Sequence, residues 1–82
     1  MPKLLSFTSK KLIRILEKIG FQLDHSTGSH FVFYNSKTSK RAVVPCHSRD
    51  LPKGTIASIL REAGISREEL EEAIRKIVIR KI

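Results

Sequence analysis

Cysteine is almost absent from this chain, because Cys46 is the only one among its 82 residues. A single cysteine cannot form an internal disulfide, which excludes a small oxidised scaffold held together by cross-links. No apolar run is long enough to span a membrane, and the N-terminal segment lacks the apolar core of a signal peptide. We therefore expect a cytoplasmic protein without a membrane segment.

Acidic residues are also scarce, with 8 Asp and Glu against 16 Lys and Arg. The imbalance is local: residues 1–54 hold ten basic and three acidic side chains, whereas residues 55–82 hold six and five. All three histidines lie in the basic part. Such a distribution is typical of proteins that bind phosphate backbones. Composition therefore favours a nucleic-acid partner, with a merely solubilising surplus of charge as the alternative.

Hydrophobic periodicity predicts a first helix followed by three strands. Thr8 is a suitable N-cap, apolar residues then recur at spacings of three and four, and Gly20 is placed to end the helix. Apolar and polar residues alternate in the first strand as in a half-buried strand, so His25 is expected to be partly buried. The strands are predicted at residues 21–25, 30–34 and 40–45, with a polar hairpin loop at 35–39.

Two more helices are predicted in the second half of the chain. Pro52 stands where the first turn of a helix tolerates proline. Ser66 and Glu69 form a capping box before a C-terminal helix over about 67–79. Short loops favour an antiparallel three-stranded meander covered by helices on one face. We expect one α+β domain over 1–82, α-β-β-β-α plus an additional helix, in the order seen in double-stranded-RNA-binding domains.

The most informative stretch is 28–34, where a Gly-Ser corner leads into a strand. If Phe31 and Phe33 face the core, strand alternation turns His30 and Tyr34 to the opposite face. Histidine exchanges protons near neutral pH because its ordinary pKa is about 6.5. His30 is therefore a candidate for proton transfer. The alternative is that His30 is only a polar residue at the start of a strand, with no part in the chemistry.

These segments together resemble the HicA family of toxins, which are small mRNA endonucleases of toxin–antitoxin pairs. The resemblance spans residues 7–75, and it depends on the order and spacing of several motifs rather than on any one of them. The motifs are Glu17-Lys18-Ile19-Gly20-Phe21, Gly28-Ser29-His30, His47, Leu51-Pro52-Lys53-Gly54-Thr55-Ile56, Ile59-Leu60 and Ala63-Gly64-Ile65.

The resemblance implies a fold like that of a double-stranded-RNA-binding domain. It implies the toxin of a type II toxin–antitoxin system, which cleaves mRNA independently of the ribosome with His30 as the catalytic residue. Its implied partner is a HicB-type antitoxin that binds the toxin and blocks the active site. The segment 71–82 is longer than the family leads us to expect.

RNA cleavage without a metal requires removal of a 2′-hydroxyl proton and protonation of the leaving 5′-oxygen. We expect His30 to supply one of these transfers as general acid or base. Gly28 and Ser29 are expected to let backbone N–H groups approach a phosphate. His47 is a candidate for the second transfer, with a solvated loop histidine as the alternative. No metal and no small-molecule cofactor are expected.

Contacts to RNA are predicted from basic side chains and one exposed aromatic residue, namely Lys10, Lys11, Tyr34, Lys37, Lys40, Arg41 and Lys53. Tyr34 is suited to stack on an unpaired base, although a solvated sheet residue fits as well. Cys46 beside His47 does not make a metal site, because adjacent ligands bind one ion poorly. We expect Cys46 to be a small buried residue.

Two other functions remain open from the residues. One is a small RNA-binding module without chemistry, in which His30 only contacts a phosphate. The other is a protein-interaction domain that binds through the sheet or the last helix.

Overall fold

The computed structural model describes residues 8–46 and 49–80. Their elements, in chain order, are α1 (Ser9–Ile19), β1 (Gln22–Ser26), β2 (His30–Asn35), β3 (Lys40–Pro45), α2 (Lys53–Glu62) and α3 (Arg67–Arg80). The three strands form one antiparallel sheet in the order β1-β2-β3. The predicted α+β order is confirmed, and α3 ends one residue beyond the predicted helix.

The predicted capping signals set the helix ends. Thr8 Oγ1 accepts a hydrogen bond from the Lys11 N–H at 3.2 Å, and Gly20 ends α1 with a φ of 124° that disfavours any other residue. At α3, the Ser66 N–H donates to Glu69 Oε1 at 3.0 Å and the Glu69 N–H donates to Ser66 Oγ at 3.1 Å. The capping box is thus formed in both directions.

The register of the sheet divides its side chains between two faces. Phe33 pairs with Ala42 and both are buried on the helix side, whereas Tyr34 pairs with Arg41 on the opposite side. We call this opposite side the outer face; it carries His30, Val32, Tyr34, Arg41 and Val43. The predicted direction of β2 is confirmed.

The core lies between the helices and the other face of the sheet. α1 and α2 both contact β3, and α3 packs against α1. The largest fully buried side chains are Phe33, Leu12, Ile15, Leu16, Leu51, Ile56 and Val44. Burying each of these large apolar groups contributes about 1.5–3 kcal/mol to the stability of the fold. The same packing holds α1 and α2 against β3, and it therefore determines which residues surround the ends of that strand.

Strand β1 differs from the prediction. It begins at Gln22 rather than Phe21, and all five of its residues are exposed. Leu23 retains 54% of its accessible surface. The physical reason is position: β1 is an edge strand, whereas α1 and α2 lie against β3 at the other edge. Alternation in the sequence indicated a strand but not whether a helix would cover it.

A bulge in β1 reverses the expected direction of His25. Leu23 pairs with Phe33, but His25 pairs with Val32, so Asp24 is an extra residue on this strand. The shift places His25 on the outer face, where its side chain is 55% exposed. The prediction that His25 is partly buried was therefore wrong, because a one-residue slip exchanges the two faces of a strand.

The sheet has two ends with different surroundings. At the first, the His30 end, His30 pairs with Pro45. Ser9 Oγ, at the start of α1, donates to the Pro45 carbonyl oxygen at 2.7 Å. Because α2 follows β3 after a short loop, α1 and α2 both begin at the His30 end.

The second end, the hairpin end, holds the β2–β3 turn and the carboxyl ends of both helices. Asn35 pairs there with Lys40. Gly20 after α1 lies against the buried Asn35 side chain, and Gly64 after α2 lies against the aliphatic part of Lys40. Asn35, predicted in the loop, is instead the last residue of β2, and its Oδ1 accepts from the Lys37 N–H at 2.9 Å.

Candidate active site

His30 is the first residue of β2 and its side chain is exposed. Its ring nitrogen Nδ1 lies 3.0 Å from Ser29 Oγ, so the preceding side chain holds the ring. Within residues 8–46 and 49–80, no hydrogen bond engages the other ring nitrogen, Nε2. The imidazole is thus oriented on one side and open to a ligand on the other.

The turn before His30 is fixed by Thr27, which the sequence analysis did not single out. Thr27 Oγ1 accepts from the His30 N–H at 3.1 Å and from the Ser29 N–H at 3.4 Å. The Thr27 N–H donates to the His30 carbonyl at 2.8 Å, and the Cys46 N–H donates to the Ser29 carbonyl at 2.8 Å. Threonine hydroxyls in turns commonly form hydrogen bonds with the backbone of residues shortly after them in the chain. The role of Thr27 in this turn could therefore have been predicted from the sequence.

Gly28 lies in this turn with open space beside it. A Cβ atom at Gly28 would meet no atom within 4 Å. Neither crowding nor a positive φ therefore requires glycine at this position in the free protein. The open space is consistent with the predicted approach of a ligand to the backbone.

An open groove of about 510 Å³ runs from His30 along β3 and α2. It is lined by His30, Val43, Pro45, Pro52, Gly54, Thr55, Ser58, Ile59 and Glu62. Ser58 and Glu62 were missed from the sequence, where nothing distinguishes them from other polar residues of a helix surface. They reach the groove only because α2 packs along β3.

The start of α2 faces this groove with polar N–H groups. Pro52 is its N-cap and provides no side-chain hydrogen bond, and the first turn contains no acidic residue. The N–H groups of a first helical turn have no partner within the helix and carry a partial positive charge. This end of the groove therefore favours an anion.

Three of the predicted RNA-binding cations lie at the His30 end. Lys53 is the first residue of α2, and Lys10 and Lys11 stand in the first turn of α1, directly after Ser9. All three are exposed. The structure thus brings these lysines toward the end of the sheet that carries His30.

The other four predicted RNA-binding residues lie at the hairpin end. Tyr34 is four residues along β2 from His30, which corresponds to about 14 Å at roughly 3.4 Å per residue. Arg41 pairs with Tyr34 on the outer face, and Lys37 is in the turn. Lys40 points to the helix side, against Gly64. The structure therefore does not bring Lys40 and Arg41 to His30, although both are predicted to contact RNA.

An ordered polar cluster on the outer face runs from Tyr34 and Arg41 at the hairpin end to His25, which pairs with Val32. The Arg41 guanidinium lies over the Tyr34 ring, 5.2 Å from its centroid. Asp24 Oδ2 lies 3.9 Å from Arg41 Nη1 and 2.8 Å from His25 Nδ1. These ion pairs are about half exposed, so they contribute little to stability but hold Arg41 across the face.

Cys46 is exposed, and the prediction that it is buried was wrong. It follows the last residue of β3, beyond the part of that strand that packs into the core. His47 lies outside the described residues. Within the part of the chain that the structure describes, no three His, Cys, Asp or Glu side chains form a group that could hold a metal ion.

A family model described as the HicA toxin of bacterial toxin–antitoxin systems matches residues 9–65, more than half of the chain. The chain belongs to the HicA toxin family. Membership makes it the toxin component of a toxin–antitoxin system, which implies an antitoxin partner. The match includes every residue of the His30 groove and ends before α3.

No curated protein matches the chain. Among the helices that the structure describes, none has the length and apolar character needed to cross a membrane.

Proposed function

We propose that this HicA-family protein is a metal-independent endoribonuclease that cleaves mRNA with His30 as general acid or base. One observation carries the proposal: the exposed His30 ring is held at Nδ1 by Ser29 and lines the groove with Nε2 unengaged by described residues. Family membership supports it, because a HicA toxin must act on a component of the cell.

The chemistry uses a nucleophile that RNA itself provides. The 2′-oxygen attacks the adjacent phosphorus, the bond from phosphorus to the 5′-oxygen breaks, and a 2′,3′-cyclic phosphate and a 5′-hydroxyl result. A base receives the 2′-hydroxyl proton and an acid protonates the 5′-oxygen. His30 performs one of these transfers, which typically contributes 10²–10⁴-fold in rate. His47 is our candidate for the other, on the grounds of sequence.

The hydrogen bond between Ser29 Oγ and Nδ1 suits either role of His30. A serine hydroxyl can donate to an unprotonated Nδ1 or accept from a protonated one. When Nε2 exchanges a proton with the substrate, Nδ1 keeps its proton both in the neutral base and in the imidazolium, so Ser29 Oγ can accept from Nδ1 in both states. The contact at 3.0 Å thus fixes the ring without fixing its protonation state.

Charge at the His30 end supports binding of the phosphate that reacts. The N-terminus of α2 and Lys53 provide positive potential at one side of the groove, and Lys10 and Lys11 add to it from α1. Positive groups placed before the reaction stabilise the negative charge that develops on the phosphoryl oxygens. The Gly28 N–H is a further candidate donor in the turn before His30, whereas the Ser29 N–H already donates to Thr27 Oγ1 at 3.4 Å.

The partner that we propose is a HicB-type antitoxin that covers the His30 groove and so prevents access of mRNA. Both proteins would act in the cytoplasm, where mRNA is translated. Such a partner would inhibit RNA cleavage by blocking entry to the groove, without altering the side chains that line it.

The test is incubation of the purified protein with a defined RNA in the presence of a chelator, beside His30→Ala. We expect fragments with cyclic phosphate and 5′-hydroxyl ends from the wild type and none from the variant. Fragments with 3′-hydroxyl ends, or activity lost to the chelator, would contradict the mechanism. Tight RNA binding without cleavage would support a non-catalytic RNA-binding module instead.

A further inference from the structure

We infer that the hairpin end of the outer face binds an unpaired RNA base, on a shelf formed by Asp24, Tyr34 and Arg41. The inference rests on the proposed ribonuclease function, since it states where the RNA strand continues beyond His30. The shelf draws one residue from each strand of the sheet. Because β1, β2 and β3 are hydrogen-bonded neighbours, the shelf has a rigid base.

Tyr34 and Arg41 already form a cation–π pair. The guanidinium carbon lies 5.2 Å from the ring centroid, and the Arg41 side chain is 60% exposed. Tyr34 is half-buried on the central strand, so its ring is anchored. Aromatic rings and guanidinium planes are the two protein surfaces on which unpaired bases stack. The pair therefore presents to solvent the kind of plane that a base needs.

Asp24 favours a base rather than a phosphate as the ligand of the shelf. Its Oδ2 lies 3.9 Å from Arg41 Nη1 and offsets part of the guanidinium charge. A phosphate at this point would meet a carboxylate of the same sign. A nucleobase meets no such repulsion, and its ring or exocyclic N–H groups can donate to the carboxylate.

A groove of about 330 Å³ opens beside the shelf and gives the ligand room. It is lined by Gly20, Gln22, Leu23, Asp24, Tyr34, Ser36 and Lys37. Its volume is at the lower end of the range of about 300–1,000 Å³ for small-molecule pockets. Lys37 places an ammonium group at the rim, where the backbone phosphate next to a stacked base would pass.

The surface between the shelf and His30 favours a single strand over a duplex. Val32 and Val43 pair midway between them, and Val43 is 40% exposed. Proteins bind double-stranded RNA through phosphates and 2′-hydroxyls over about 16 base pairs. An apolar stripe does not provide such contacts, whereas unpaired bases lie well on it. The distance of about 14 Å from His30 to Tyr34 corresponds to a few nucleotides of an extended strand.

The experiment measures binding of a short unpaired, fluorescently labelled RNA to full-length His30→Ala protein, which leaves the RNA intact. Adding Tyr34→Ala should weaken Kd roughly 5- to 150-fold, the range for stacking one base on an aromatic ring. Tyr34→Phe should retain most of the affinity, because the ring remains. The salt dependence should keep its slope, because no phosphate contact is removed.

Arg41→Lys provides a second variant that keeps the charge and removes the stacking plane. Its matched control is Arg67→Lys, which makes the same change in α3, where Arg67 Nε lies 3.5 Å from Glu71 Oε2. We expect weaker binding of unpaired RNA from the first and no change from the second. If Tyr34→Ala fails to fold by circular dichroism, Arg41→Lys decides the question.

Unchanged RNA affinity in both shelf variants would overturn the inference, and so would equal affinity for a duplex of the same sequence. Loss of antitoxin binding with RNA affinity intact would also overturn it, since the face would then be a protein interface. The proposed function fails separately: if the wild type binds RNA through the shelf but cleaves none, only the nuclease proposal is lost.

Discussion

The two ends of the sheet differ in which dipoles, charges and side chains they present. At the His30 end both α1 and α2 begin, lysines follow in their first turns, and an imidazole opens into a groove. At the hairpin end the same helices finish, and the outer face carries an aromatic ring, a guanidinium and a carboxylate. The first end therefore suits phosphate chemistry, and the second suits a base.

The comparison shows that a net charge of +8 does not tell where on the fold the cations lie. Lys40 and Lys53 look equivalent in the sequence, but Lys53 begins a helix at the His30 end, whereas Lys40 lies against Gly64 after the end of α2. A cation near a helix C-terminus interacts favourably with the partial negative charge there and stabilises the helix. Part of the basic surplus therefore lies away from the His30 end.

The largest expected effect is at the His30 end and distinguishes two exposed histidines on the same face. His30→Ala should lower kcat for RNA cleavage by roughly 10²–10⁴-fold, because it removes a proton-transfer group. His25→Ala is the matched control, because His25 lies on the neighbouring strand opposite Val32 with its Nδ1 2.8 Å from Asp24 Oδ2, and this variant should leave kcat within a few-fold. Equal losses in the two variants would contradict the assignment of proton transfer to His30.

A smaller effect is expected from Ser29→Ala. Loss of the Ser29 Oγ contact to Nδ1 frees the His30 ring, and a neutral hydrogen bond is worth about 0.5–1.5 kcal/mol. This corresponds to a decrease in kcat of roughly 2- to 12-fold, with KM little changed because no substrate contact is removed. Ser29→Thr should restore the rate. A change in KM alone would instead indicate that Ser29 contacts RNA.

The smallest effects separate the two lysines. Lys53→Ala should reduce the slope of log affinity against log salt by about 0.7, the value for one phosphate contact with a single strand. Lys40→Ala should leave that slope unchanged and lower the free energy of unfolding by about 0.3–1 kcal/mol, measured in urea. Arg67→Ala serves as a charge-matched control in α3. A lower slope for Lys40→Ala would show that RNA phosphates also reach the helix side of the hairpin end.

Much of the fold could be predicted because its signals are local. Thr8, Gly20 and the Ser66–Glu69 pair define helix ends through neighbours at most four residues away. The candidate site could be predicted from the sequence only in part. Thr27 carries a turn signal that could have been recognised, whereas Glu62 reaches the groove only through long-range packing.

The sequence by itself determined the helices, the strands and the outward direction of His30, because helix caps and strand alternation act over a few residues. Only the tertiary structure decided which side chains join His30, since the packing of α1 and α2 on β3 sets those distances. It also decided the direction of His25. A bulge depends on how β1 aligns with β2, and one extra residue there exchanges the two faces of the strand.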